Sequence, residues 1–145
     1  MNDHKTTPRT PVIPTLRYDD APRMLEWLCT AFGFERKFVV PGDGGTIAHA
    51  QLSFGNGMIM FGSARDDEWG RFVKPVAALG VATGAAYVVV SDLDAHAVRA
   101  KAAGAEILYG PRDTDYGSRE YAARDPGGQV WSFGTYDPCA QEGDE

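Results

Sequence analysis

The sequence predicts an α+β protein made of two β-α-β-β-β modules. Three observations carry this reading. First, the stretch His49 to Gly62 has a counterpart 72 residues later, Tyr121 to Gly134. Both copies read as strand, glycine-containing turn, strand; Ala50 falls on Ala122, Gly55 on Gly127, and Phe61-Gly62 on Phe133-Gly134. Second, a segment of helical periodicity precedes each copy and opens on an aspartate, Asp20 in one case and Asp92 in the other. Third, each such segment closes on a glycine, Gly33 or Gly104. An internal repeat of this length is a repeated supersecondary unit, and it constrains the architecture before any single element is read.

The elements follow in order. Residues 1–11 are polar and are expected to form a loose arm. Module one is expected over 12–62. Val12 to Tyr18 reads as a strand. Asp20 can cap a helix and Pro22 suits its first turn. Met24, Leu25, Leu28 and Phe32 form its apolar stripe, and Gly33 ends it. Phe34 to Val40 is a strand, followed by the turn cluster Pro41 to Gly45. Thr46 to Phe54 and Met58 to Phe61 pair around Gly55-Asn56-Gly57. Residues 63–83 connect the modules and carry Trp69 and Phe72, which suit either packing on a sheet edge or a lid over a ligand. Module two is expected over 84–136. Ala85 to Val90 is a strand, and Ala95, Val98 and Ala102 give the helical stripe. Ala105 to Tyr109 is a strand, and Gly110 to Ser118 a loop. Arg119 to Ala123 and Gln129 to Thr135 pair around Asp125 to Gly128. Residues 137–145 are an acidic tail.

Composition narrows the class. With 145 residues, 43% hydrophobic and 23% charged, the chain is an ordinary globular one. No apolar run approaches the roughly 18 residues of a membrane span, and the N-terminus lacks the apolar core of a signal peptide. The two cysteines, Cys29 and Cys139, suggest no disulfide framework, so a reducing cytoplasm is expected. A net charge of −6 argues against nucleic acid as partner, since phosphate needs a basic face. It is compatible with a cationic ligand or with plain solubility. There is no Gly-x-Ser-x-Gly elbow, P-loop or Cys-x-x-Cys, so hydrolytic and nucleotide chemistry lack a signal.

Three further pieces carry a family resemblance: Ala31 to Glu35 after the first helix, Ala102 to Glu106 after the second, and Arg124 to Phe133 near the end. With the repeat, they make the chain resemble the vicinal oxygen chelate superfamily over about residues 13–136. That group includes glyoxalase I, extradiol dioxygenases, fosfomycin resistance enzymes and bleomycin resistance proteins. The last piece, with His49-Ala50, is most similar to the PhnB-like or glyoxalase-like branch. The resemblance implies a curved mixed sheet around one cavity shared by the modules, often completed in a homodimer. It also implies four metal-ligand positions, here Ile13, Met60, Ala85 and Ser132. Ile, Met and Ala offer a divalent cation no oxygen or nitrogen side-chain donor, and a lone Ser is weak. No metal or other cofactor is therefore expected.

If those four positions face the cavity, strand alternation supplies the rest. Ile13, Thr15 and Arg17 face in on the first strand; Ala85, Tyr87 and Val89 do so on its counterpart. Met58, Met60, Val130 and Ser132 face in on the last strands, and His49, Gln51 and Tyr121 on the hairpin arms. Trp131 and Phe133 face the helices. Ligand contacts are thus expected from Arg17, Gln51, Met58, Met60, Tyr87, Tyr121 and Ser132. His49 is the candidate general base, oriented by Tyr121 or Gln51, or else a strand histidine bonded structurally or at a dimer contact. Arg17 suits a bidentate contact to a carboxylate or phosphate, or a salt bridge at the sheet edge. Tyr116 and its loop are placed to cap the cavity. His4 and His96 are expected in solvent. Two functions fit: metal-independent binding of a small amphipathic or cationic molecule, or a lyase or isomerase reaction on a small carbonyl substrate.

Overall fold

The computed structural model describes residues 9–140. Most of the expected arm, with His4, and the end of the acidic tail lie outside them. The described part of the arm bonds to the protein: Arg9 and Thr10 both donate to Asn56 in the first hairpin turn.

The chain order is β1 (Thr15–Tyr18), α1 (Ala21–Phe32), β2 (Glu35–Pro41), β3 (Ile47–Phe54), β4 (Gly57–Ser63), α2 (Val76–Leu79), β5 (Ala85–Val89), α3 (Leu93–Ala102), β6 (Glu106–Asp113), β7 (Arg119–Arg124) and β8 (Val130–Gly134). The strands form two four-stranded mixed sheets, ordered β1-β4-β3-β2 and β5-β8-β7-β6. In each, the first strand pairs parallel with the last and the others run antiparallel. This is the repeated β-α-β-β-β order read from the sequence. Short α2 was not expected. The second strand of module two, β6, is longer than expected, so the loop after it shrinks to residues 114–118.

Both long helices start as their sequences dictate. The Asp20 carboxylate accepts from Arg23 N at 3.2 Å, and that of Asp92 from Ala95 N at 3.3 Å, satisfying donors the helix itself leaves unpaired. Gly33 ends α1 at φ 87°, a left-handed geometry that favours glycine. The α1 stripe is buried as read. The α3 stripe is not: Leu93, Ala97 and Ala100 are buried, while Val98 is 70% exposed. An alanine-rich helix has little amphipathic signal, and its inward polar residue, His96, does not count as apolar.

His96 is therefore not in solvent. It stacks on Phe32 and packs against Phe133 in the core that both modules share. Its Nε2 lies 2.8 Å from the Phe32 carbonyl, which can only accept, so Nε2 carries the proton. Nδ1 then accepts from the Tyr121 hydroxyl at 2.6 Å. More bonds tie α1 to α3. Arg99 caps the end of α1 by donating to the carbonyls of Thr30 and Cys29, and Trp27 Nε1 donates to the Ala103 carbonyl at 2.8 Å.

A second tie is a buried carboxylate. Asp125, 3% exposed, receives Tyr18 Oη at 2.6 Å, Trp131 Nε1 at 3.0 Å, and the backbone N–H groups of Gly127 and Gln129. Tyr18 belongs to β1 and the rest to the β7–β8 hairpin, so the cluster joins the modules. Gly127 is needed because a Cβ there would lie 2.5 Å from the Tyr18 ring. Burial raises the Asp125 pKa while its four donors oppose the rise, and the Tyr18 hydroxyl is pushed well above its usual value by burial and by Asp125.

Replacing Asp125 with Ala leaves these buried donors unpaired and is expected to cost about 3 kcal/mol or more, read as a lower urea midpoint. Burial, with the Arg99 charge assisting, depresses the His96 pKa despite the Phe32 carbonyl. A depressed histidine pKa favours the neutral folded form. Its stabilisation is whole above the unfolded value of about 6.5 and is lost as pH falls through the lower folded value. The His96→Gln variant should show a shallower loss of melting temperature between pH 7 and pH 5 than the parent.

Candidate functional site

The side chains that could meet a ligand lie on the sheet faces turned away from the helices. Strand register assigns them. On the first sheet Thr15 pairs with Met60, Gln51 with Met60, and Arg17 with Gly62. Phe38 pairs with Gln51 and Val40 with His49. These residues share the open face. On the second sheet Ala85 pairs with Val130 and Tyr87 with Ser132, and Ala122 also pairs with Ser132.

Two hollows meet at β1. One, of about 280 Å³, lies between β1 and β5 under the connecting segment, with Thr15, Arg17, Lys74, Val76, Ala85 and Trp131 among its walls. The other, of about 160 Å³, lies on the first sheet between Thr15, Arg17, His49, Met60, Arg65 and Trp69. Arg17 lines both. Of the residues singled out from sequence, Arg17, His49 and Met60 converge on the smaller hollow. Gln51 holds His49, with Oε1 3.0 Å from Nε2. Met58 is on the same face but lines neither hollow.

Tyr87 and Ser132 sit on the open face of the second sheet and line neither hollow either. The Tyr87 ring lies over Gly134, where a Cβ would come within 2.8 Å of its Cε1, and its hydroxyl donates to the Tyr136 carbonyl at 2.7 Å. Tyr116 is 60% exposed, bonded to Glu120, and lines neither hollow.

Tyr121 is a correction. It faces the helices, fully buried, stacked on Phe133 and bonded to His96. The 72-residue offset holds for β4 and β8 but not for β3 and β7. Ala50 pairs with Phe61, whereas Tyr121 pairs with Phe133, so Tyr121 stands where Ala50 stands, an offset of 71. The longer turn of the second hairpin, Asp125 to Gln129, absorbs the slip. One residue of slip reverses every side chain on a strand. The partner of His49 across the repeat is thus Glu120.

Sequence reasoning gave the connecting segment no binding role beyond a lid. Trp69, half exposed, walls the smaller hollow, and Phe72 is 75% exposed; neither is buried on a sheet edge. Arg17 is 8% exposed. Its Nη2 lies 3.3 Å from Asp67 Oδ2, which also receives Arg65 Nε at 3.0 Å. Asp67 Oδ1 accepts the Gly70 N–H at 2.7 Å, and this bond, followed by the two arginines, lowers the Asp67 pKa. The salt bridge foreseen for Arg17 exists, but its acid comes from the connecting segment. Arg17 Nη1 is buried without a hydrogen-bond partner among the described residues.

The family positions for a metal do not suit one. Ile13 and Ala85 bear no donor atom and Met60 only a soft thioether. Among the described residues, no three His, Cys, Asp or Glu side chains converge as a metal site would need. No described helix is long and apolar enough to cross a membrane.

Paired β-α-β-β-β modules define a fold class, and comparison with known proteins places the chain in it. Residues 11–133 match the family model of the Glyoxalase/Bleomycin resistance protein/Dioxygenase superfamily. The chain belongs to that superfamily. It is 30% identical over 121 residues to an uncharacterized protein of Mycobacterium bovis, covering 83% of this chain and 80% of that one. Among solved structures, TioX from Micromonospora sp. ML1 superposes with a TM-score of 0.67 at 33% identity, over 85% of this chain and 95% of that one. The fosfomycin resistance protein FosX from Listeria monocytogenes, complexed with Mn(II) and sulfate, superposes at 0.64 with 11% identity, over 90% and 95% of the two chains. At that identity it shares the fold alone.

The Tyr121→Phe variant separates the two roles considered for that residue. It should lose about 1 kcal/mol in urea unfolding, with no change in the affinity of any ligand of the open face.

Proposed function

We propose that the chain binds a small amphipathic molecule, without a metal ion, in the groove around Arg17, and does so as a homodimer. The convergence of Arg17, His49, Met60, Thr15 and Trp69 on one hollow carries this reading. A few polar groups set among apolar and aromatic walls are what a small-molecule site requires, and Met60 supplies an adaptable wall. Each hollow alone is below the usual ligand-pocket volume of roughly 300 Å³. One end of a molecule fits there, and a second surface would cover the remainder.

A second copy supplies such a surface. Phe38 and Val40 on the first sheet and Tyr87 and Val89 on the second are exposed on the open faces, and exposed apolar groups on a sheet face suit an association surface. A two-fold dimer would bury the same face of both chains. The acidic net charge is compatible with a cationic ligand, but the ionised side chains lining the hollows are Arg17, Arg65 and Lys74, which favours an amphipathic ligand without a positive charge. The free Cys29 and Cys139 fit a reducing compartment such as the cytoplasm.

A reaction on a small carbonyl substrate is the second reading, favoured by the His49–Gln51 bond. If Nε2–H donates to Gln51, Nδ1 is left with a lone pair to take a proton.

Thermal-shift measurements on a panel of amphipathic aromatics should show a ligand-dependent rise in melting temperature. Met60→Trp, which fills the smaller hollow, should abolish it while the protein stays folded. A panel without any shift would remove the binding reading. Turnover of a carbonyl compound that persists in chelator and disappears in His49→Ala would select the enzymatic reading instead.

A further inference from the structure

The guanidinium of Arg17 presents a charge that its surroundings only partly answer. The side chain is 6% exposed and lies at the junction of the two hollows. The one acidic side chain paired with it among the described residues, Asp67, is already occupied. Oδ2 receives both Arg17 and Arg65, and Oδ1 receives the Gly70 N–H. Arg65 is satisfied: its Nη1 donates to the Ser63 carbonyl and its Nη2 to the Ala48 carbonyl. Two guanidinium groups thus share one carboxylate. The cluster keeps one surplus positive charge, and among the described residues its buried nitrogen without a partner is Arg17 Nη1.

A buried donor without an acceptor is destabilising, and more so when it is charged. Removing a guanidinium from water without full pairing adds to that cost. Such a group calls for an explanation beyond packing. Lys74, the other cation at the larger hollow, donates to the Gly70 carbonyl at 2.7 Å, so it neither competes for Asp67 nor supplies an acceptor.

We propose that Arg17 is an oxyanion anchor: Nη1 takes the carboxylate of an amphipathic ligand whose apolar body lies against Met60 and Trp69. The inference rests on the small-molecule reading above and adds the ligand's chemical class to it. A carboxylate supplies the missing acceptor and neutralises the surplus charge. It is chosen over a dianionic phosphate because the surplus is one unit and the hollow is small. Thr15 lines the same hollow, and its hydroxyl is the group assigned to the second carboxylate oxygen. Asp67 keeps Nη2 engaged and so holds the fork in place, which reduces the ordering that binding would otherwise require.

The test is isothermal titration of the full chain at pH 7.5 with three ligands of one ring system: naphthalene-2-carboxylate, its neutral carboxamide, and 2-naphthylmethylamine. The carboxylate should bind about tenfold or more tighter than the carboxamide, as a charge-assisted bond implies, and the amine weakest. In Arg17→Met, which keeps length and apolar contact, carboxylate and carboxamide should bind alike. If that variant does not fold, Arg17→Lys decides, because lysine keeps the charge but loses the fork. The preference should then shrink several-fold, and an unchanged preference would overturn the anchor. Equal binding of carboxylate and carboxamide by the parent protein would also overturn it, while leaving the groove as a binding site. Failure of all three ligands to bind would remove the groove reading itself, and the anchor with it.

Discussion

The Asp125 carboxylate holds the molecule together at the point where its two halves meet. A buried charge is tolerated only when its lone pairs are used, and here Tyr18, Trp131 and two backbone N–H groups use them. The consequence reaches beyond stability. Tyr18 is the last residue of β1, and β1 carries Thr15 and Arg17. Anchoring Tyr18 to the opposite hairpin fixes the direction of the strand whose other face forms the groove. Alternation then does the rest: Leu16 and Tyr18 go to the core, Thr15 and Arg17 to the hollow.

Most of the fold was legible because it is written twice. Aspartate caps and hairpin glycines recur at an offset of 72 and glycine stops at 71, and local signals that agree with each other are what a foldable sequence supplies. The failures are equally local. The α3 face was misread because alanines carry almost no periodic contrast and His96 is polar. A single offset misplaces Tyr121 because the two hairpins have turns of different length. The two errors are linked, since His96 and Tyr121 are bonded to each other. A core that buries a polar pair cannot be found by searching for apolar residues.

The site was less legible for another reason. Its strand residues, Arg17, His49 and Met60, follow from alternation. Asp67, Arg65 and Trp69 come from the segment between the modules, which has no repeat and little regular structure. Sequence offers no register for such a segment. Its position depends on tertiary bonds, such as Arg17 to Asp67 and Arg65 to the Ala48 carbonyl, that only the folded chain displays. Loops on a rigid scaffold carry function for this same reason: they vary without disturbing the sheets.

The repeat also sets the smaller hollow, which lies on module one, against the matching face of module two. Thr15 and Tyr87 occupy equivalent positions, as do Gly62 and Gly134. In module two the large Tyr87 ring settles over Gly134 and ties its hydroxyl to Tyr136, covering its own face. In module one the small Thr15 leaves the matching space open, and Arg17, whose counterpart is Val89, charges the edge of it. Two copies of one architecture thus diverge on this face, at Thr15 and Tyr87 and at Arg17 and Val89 among other positions. One copy closes its sheet with an aromatic ring, and the other keeps a hollow with an arginine whose hydrogen-bonding capacity the protein does not exhaust.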